Sequence, residues 1–196
     1  MSIPTWAVLV ANLVAGNASG APPARSTFQG LQVGGLVGYE TADVAGLSLR
    51  LDAELPSRDL GPQVKLSWVG SIGYSHLTES LPPFSDFKSD LVKVVPAARF
   101  TWPLNPVFDL FGDVGAGLAF VAARLESHVP FFGDTKVSSN SLNFMMRIGA
   151  GAWFHVNPAL KVGALLEFDP ILGDYGMSGA RSQTTFNLLA GAMYRL

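Results

Sequence analysis

The chain contains no cysteine, which excludes disulfides, thiol catalysis and thiolate-ligated metals. Charge is scarce: 14% of its 196 residues are Asp, Glu, Lys or Arg, against about 25% in an ordinary soluble domain. A typical cytosolic enzyme surface is therefore not available. The formal net charge of −2 gives no electrostatic basis for nucleic-acid binding, and no nucleic-acid partner is expected. Long apolar runs are also missing. The longest, Trp6 to Ala15, is broken by Asn12 and falls well short of the roughly 20 residues a membrane-spanning helix needs. Yet 48% of the residues are hydrophobic, too many for disorder. The length suits one domain.

The apolar N-terminal stretch precedes a small, polar segment, Asn17 to Ala21, in which Ser19 and Ala21 suit a signal-peptidase site. No Lys or Arg lies in Met1 to Thr5, a departure from the usual basic start. The expectation is an export signal over residues 1–21 and a single domain over 22–196, with the mature chain starting near Pro22.

From Phe28 onward the pattern has period two, and no stretch has a helical period. In Leu47–Leu55 one face holds Leu47, Leu49, Leu51, Ala53 and Leu55, and the other holds Ser48, Arg50, Asp52 and Glu54. The same split recurs in Leu31–Glu40, Val64–Tyr74, Val92–Trp102, Phe108–Phe120, Leu142–Phe154, Leu160–Phe168 and Phe186–Leu196. These are eight expected strands. A soluble barrel would turn the apolar faces inward, and a transmembrane barrel turns them outward. The polar faces are rich in Gly, Ser and Ala, too small for a solvent face and suited to a narrow interior. The apolar faces end in two levels of aromatics: Trp102, Phe108, Phe154 and Tyr194 at one end, and Tyr39, Tyr74, Phe120, Phe168 and Phe186 at the other. Phe108 and Phe120, twelve positions apart, are separated by roughly 28 Å along the membrane normal at a tilt near 45°, close to the expected lipid-facing band of about 25 Å. The fold expected is all-β: an eight-stranded antiparallel transmembrane barrel, wound as an up-and-down meander.

Connections alternate in length. Pro103–Pro106, His155–Ala159 and Pro56–Pro62 read as tight turns, whereas Leu77–Asp90, Leu125–Ser141 and Asp169–Thr185 read as long loops. Short periplasmic turns and long extracellular loops would place both termini in the periplasm. Two loops carry aromatics, Phe84 with Phe87 and Phe131 with Phe132, as candidates for capping the barrel or contacting a partner. Pro96, within the fourth strand, predicts a bulge, because proline cannot donate to a closed ladder.

The glycine-spaced strand GLQVGGLVGYE, the strand FGDVGAGLAF and the hairpin IGAGAWFHVNPALKVGALLEF resemble small bacterial outer-membrane barrels of the OmpA, OmpX, OmpW and opacity-protein type. The last strand, TFNLLAGAMYRL, is similar to the signal read by the barrel-insertion machinery; Tyr194 matches its aromatic, and Leu196 departs from its usual terminal Phe. The resemblance implies a bacterial outer-membrane protein in contact with lipid and lipopolysaccharide, and it leaves the role open, because this fold hosts many functions.

The polar faces collect Arg50, Lys65, Lys93, Arg99, Arg147, Lys161 and Arg195, together with Glu40, Asp52, Glu54, Asp109, Asp113, Glu167 and Asp169. Similar numbers of both signs predict a mutually paired interior network. The three histidines, His76, His128 and His155, share no level, so no metal site is expected; no cofactor is expected either. Some barrels of this size modify lipid A with a His and a Ser at the lipid-facing rim, but Ser75 and His76 are strand neighbours and point to opposite faces. No catalytic residue is assigned and no enzyme is expected. The leading expectation is a structural or surface-interaction barrel. The alternatives are a narrow channel for small solutes or small hydrophobic compounds, then a lipid A-modifying enzyme.

Overall fold

The computed structural model describes residues 30–42, 44–81, 85–129, 133–173 and 182–196. The expected export signal, Phe84, Phe131 and Phe132 lie outside them. The described residues form nine strands and no helix: β1 (Gln32–Thr41), β2 (Ala45–Glu54), β3 (Arg58–Gly61), β4 (Val64–Leu81), β5 (Ser85–Asn105), β6 (Phe108–Val129), β7 (Gly133–His155), β8 (Leu160–Leu172) and β9 (Ser182–Arg195). All pairings are antiparallel. Consecutive strands from β4 to β9 are neighbours, β9 pairs with β1, β1 with β2, and β2 with β4, which closes a ring of eight. The four-residue β3 is an appendage on the start of β4, where the sequence suggests only a turn. Gly30 adopts φ of +87°, a left-handed conformation that favours glycine. Its N–H donates to the carbonyl of Leu196 at 3.2 Å, which ties the two ends of the described chain together.

The barrel is inside out relative to a soluble protein. Leu47, Leu51, Leu142 and Leu166 are all more than 60% exposed on the outer face, whereas Arg50, Arg99, Asp113, Arg147, Glu167 and Asp169 are at most 4% exposed inside. A belt of this kind is far more apolar surface than a soluble monomer carries, and lipid is the solvent that matches it. The expected strand faces hold throughout. Period-two alternation fixes this, because a slip of one residue would drive every lumen charge into lipid.

Two expectations on strand shape are corrected. Pro96 makes no bulge. It faces outward, pairs with Gly70 on β4, and the β5–β6 register resumes unshifted from Val94↔Leu118 to Ala97↔Gly115. Proline costs the ladder a local interruption rather than an extra residue. The expected long loops Leu77–Asp90 and Leu125–Ser141 are instead mostly strand: β4 runs on to Leu81, β5 starts at Ser85, β6 ends at Val129 and β7 starts at Gly133. Strands β4 to β7 therefore stand as a four-stranded sheet beyond the far end of the barrel. Among the described residues, β7 has no β8 partner from Gly133 to Asn143.

Candidate functional sites: lumen, mouth and protruding sheet

The lumen charges come from alternate positions of neighbouring strands. Arg50, Asp52 and Glu54 project inward from β2, Lys93 and Arg99 from β5, Asp113 from β6, Arg147 from β7, and Lys161, Glu167 and Asp169 from β8. Arg99 is the hub. Its Nε and Nη2 each donate to an oxygen of Asp113 at 2.7 Å, and its Nη1 donates to Glu54 at 2.9 Å. Arg50 donates to both oxygens of Asp52, at 2.5 and 2.8 Å, and to Glu167. Arg147 Nε lies 3.1 Å from Glu167 and 3.2 Å from Asp169. Lys93 donates to Glu40 at 2.6 Å and to Asp169 at 2.9 Å. Lys161 joins Glu54 at 3.3 Å. Two longer contacts, Arg50 to Asp113 and Arg99 to Asp52, each 3.5 Å, join these groups, so that five cations and six carboxylates form one continuous chain through the lumen. Burial demands this pairing, since a lone charge would cost several kcal/mol.

Three residues of the sequence-derived set stand apart from this chain. Lys65, Asp109 and Arg195 line a cavity of about 550 Å³ at the turn end of the barrel, with Gln32, Glu54 and Lys161. Asp109 pairs there with His155 at 2.6 Å. Lys65 and Arg195 are exposed, and no acid among the described side chains ion-pairs with either; each sits at a strand end, where water replaces a partner.

The sequence reading missed the apolar plug between cavity and charges. Phe111 and Trp153 face inward, stacked at 5.2 Å, and the Arg99 guanidinium sits 4.4 Å above the Phe111 ring. Parity alone marks both as inward, since they fall between Asp109 and Asp113 and between Arg147 and His155. Glycines make room for the plug: a Cβ on Gly163 would approach the Trp153 ring to 2.6 Å. A second apolar group, Leu91, Val95, Ala119, Val121, Met145 and Ile171, packs in the lumen around Lys93, whose register partner is Ala119.

On the outer face His76 Nδ1 lies 2.8 Å from Asp90, whose same oxygen accepts from Tyr74 at 2.6 Å. Ser75 points the opposite way, into the lumen, and donates to Glu40. Asp90 was invisible as a partner in sequence, because the β4–β5 register brings it beside His76.

Phe87 is the one described residue of the four expected loop aromatics. It lies on β5, half-buried on the inner face of the protruding sheet. The register sets Phe87 opposite Leu125 and Leu125 opposite Val137, an apolar row across three strands. Hydroxyl rows flank it: Ser85, Ser127 and Thr135 on one side, and Ser89 and Ser139 on the other.

No family model matches the chain, and no curated protein matches it. Solved structures do. The chain is similar to a major outer membrane protein from Thermus thermophilus (TM-score 0.60, 14% identity, 85% of this chain and 99% of that one). It is similar to Neisserial surface protein A (TM-score 0.53, 16% identity, 85% and 96%) and to the outer membrane enzyme PagL (TM-score 0.50, 20% identity, 82% and 97%). At these identities the likeness is one of fold. The chain has the fold of the small eight-stranded outer-membrane β-barrels.

Proposed function

We propose that the protein is an outer-membrane barrel whose task is surface interaction, performed by the sheet β4–β7. The observation that carries this reading is the row Phe87–Leu125–Val137, framed by hydroxyls and raised beyond the lipid-facing band. Val137 is 47% exposed there. An exposed apolar strip inside a polar frame is the usual anatomy of a contact surface. The far end then faces the medium and both termini face the periplasm, in line with tight turns on the periplasmic side. An export signal over residues 1–21 and recognition of the C-terminal strand by the insertion machinery complete the route to that location.

The continuous ion-pair chain counts against the channel alternative, because a path for solutes would have to break buried pairs. Two measurements test the proposal. A photo-crosslinking residue at Val137, in cells, should give a discrete adduct that Phe87→Ser with Leu125→Ser abolishes while the folded gel mobility is kept. Planar-bilayer recordings should show no stable conductance. Steady conductance with no adduct would replace the interaction reading by the channel.

A further inference from the structure

On the outer face of the same sheet, above the aromatic girdle, like charges stand side by side. Lys88 on β5 is the direct register partner of Arg124 on β6. Both point outward and both are exposed. Like charges directly opposite on antiparallel strands repel unless an anion sits between them. The nearby acids do not fill that role. Glu126 is shared between Lys88 at 3.3 Å and Lys136 at 3.2 Å. Asp90 is held by Tyr74 and His76, and Asp86 stands opposite Glu126, one step further out. No carboxylate among the described side chains lies within ion-pairing distance of Arg124.

The height of this pair identifies what surrounds it. Arg124 and Lys88 each lie four residues beyond a lipid-facing position, Phe120 and Val92 respectively. Four strand residues at the usual tilt rise about 9 Å. That places both backbone positions at the outer edge of the headgroup layer, which adds roughly 5–8 Å to each side of the hydrocarbon core, and the long side chains can reach back into it. We propose that Lys88 and Arg124, supported by Lys136, bind a phosphate of a phosphorylated outer-leaflet glycolipid. Guanidinium matches phosphate with two parallel hydrogen bonds, and the lysines add point charge. Glu126 holds the two lysines beside the arginine, and Arg124, whose attraction to Asp90 is longer than an ion pair, keeps its guanidinium donors for the bidentate contact. The site rests on the membrane orientation proposed above and is independent of what the inner face of the sheet meets.

The test uses the full-length protein refolded in a neutral detergent and exposed to diphosphorylated lipid A, the same lipid A stripped of phosphate, or inorganic phosphate. Native mass spectrometry counts the retained lipid. The wild type should retain diphosphorylated lipid A at least about tenfold better than Lys88→Gln with Arg124→Gln, the size expected for charge-assisted bonds. Dephosphorylated lipid A should show no difference between the two proteins. Lys65→Gln, at the opposite mouth, should behave as wild type. Both variants should keep their folded gel mobility, since these side chains are exposed. Equal retention by the double variant, equal retention of the dephosphorylated lipid, or inorganic phosphate competing as strongly as the lipid would each overturn the assignment. Orientation is checked separately. Ser138→Cys, the only thiol in such a chain, should react on intact cells with a membrane-impermeant maleimide; failure there overturns the orientation while the detergent result stands.

Discussion

Arg99→Ala is the most informative single perturbation of the lumen. The side chain is fully buried, makes two 2.7 Å bonds to Asp113 and one 2.9 Å bond to Glu54, and covers the Phe111 ring. Its removal strands the two acids unequally. Glu54 keeps Lys161 at 3.3 Å and the Ser67 hydroxyl at 2.7 Å, whereas Asp113 keeps only Arg50, at 3.5 Å. Breaking a buried pair costs about 3–5 kcal/mol, so a loss of about 4 kcal/mol is expected, nearly a thousandfold in the folding equilibrium. Most of that cost should belong to Asp113. Asp113→Asn in the Arg99→Ala background should therefore recover about 1–3 kcal/mol, the usual range of coupling between contacting groups. Urea titration of the refolded barrel, followed by tryptophan fluorescence and by gel mobility, measures both terms. A loss below about 1 kcal/mol with no coupling would refute the reasoning, because it would mean that water already screens these charges.

Arg147→Ala should cost less than Arg99→Ala, about 1–3 kcal/mol, because Glu167 keeps Arg50 and Asp169 keeps Lys93, while Lys136→Ala, which loses one exposed pair with Glu126, should stay within about 1 kcal/mol in the same titration. Gly163→Ala should push β8 away from β7, because its Cβ would meet the Ala152 carbonyl oxygen even before the Trp153 ring, and it should shift the tryptophan emission and destabilise by at least about 1–3 kcal/mol, as overpacking does. The pair of cations on Glu126 holds its carboxyl below the usual glutamate range, with the Lys136 and Lys88 hydrogen bonds as causes. A depressed folded value contributes above the unfolded value and is lost as pH falls through the folded one. Amide protection in the β5–β7 extension, taken as the exchange rate relative to the intrinsic rate at each pH, should thus be unchanged from pH 7 to about pH 5 and should fall only below the ordinary range for glutamate, near pH 4.

The ring, the outward faces and the lumen charges were legible because one period of two governs them. Arg50, Asp52 and Glu54 alternate with leucines on one strand, and no other register keeps both sets in a tolerable medium. Pairings were not legible. Sequence names Arg99 and Glu54 as lumen residues but gives no hint that their side chains meet over the intervening β4, so partner identity had to await the ring. His76 with Asp90 failed for a related reason: its partner lies on the next strand, and only the register supplies it.

The protruding sheet shows where pattern reading stops. Residues 133–141 are GDTKVSSNS, and 85–90 are SDFKSD, compositions that favour turns over strands. Strand propensity, however, measures fit to a half-buried pleated surface more than an intrinsic backbone preference. Outside the lipid band neither face of these strands needs to be apolar, so the period-two signal fades while the backbone ladder continues unbroken from the barrel below. The register carries through these residues without a shift, from Gly112↔Ala150 within the barrel to Glu126↔Lys136 beyond it. What remains for the side chains is freedom to specialise. The inner face takes a single apolar row, and the outer face sets Lys88 beside Arg124, a juxtaposition that a fold selected for stability alone would avoid.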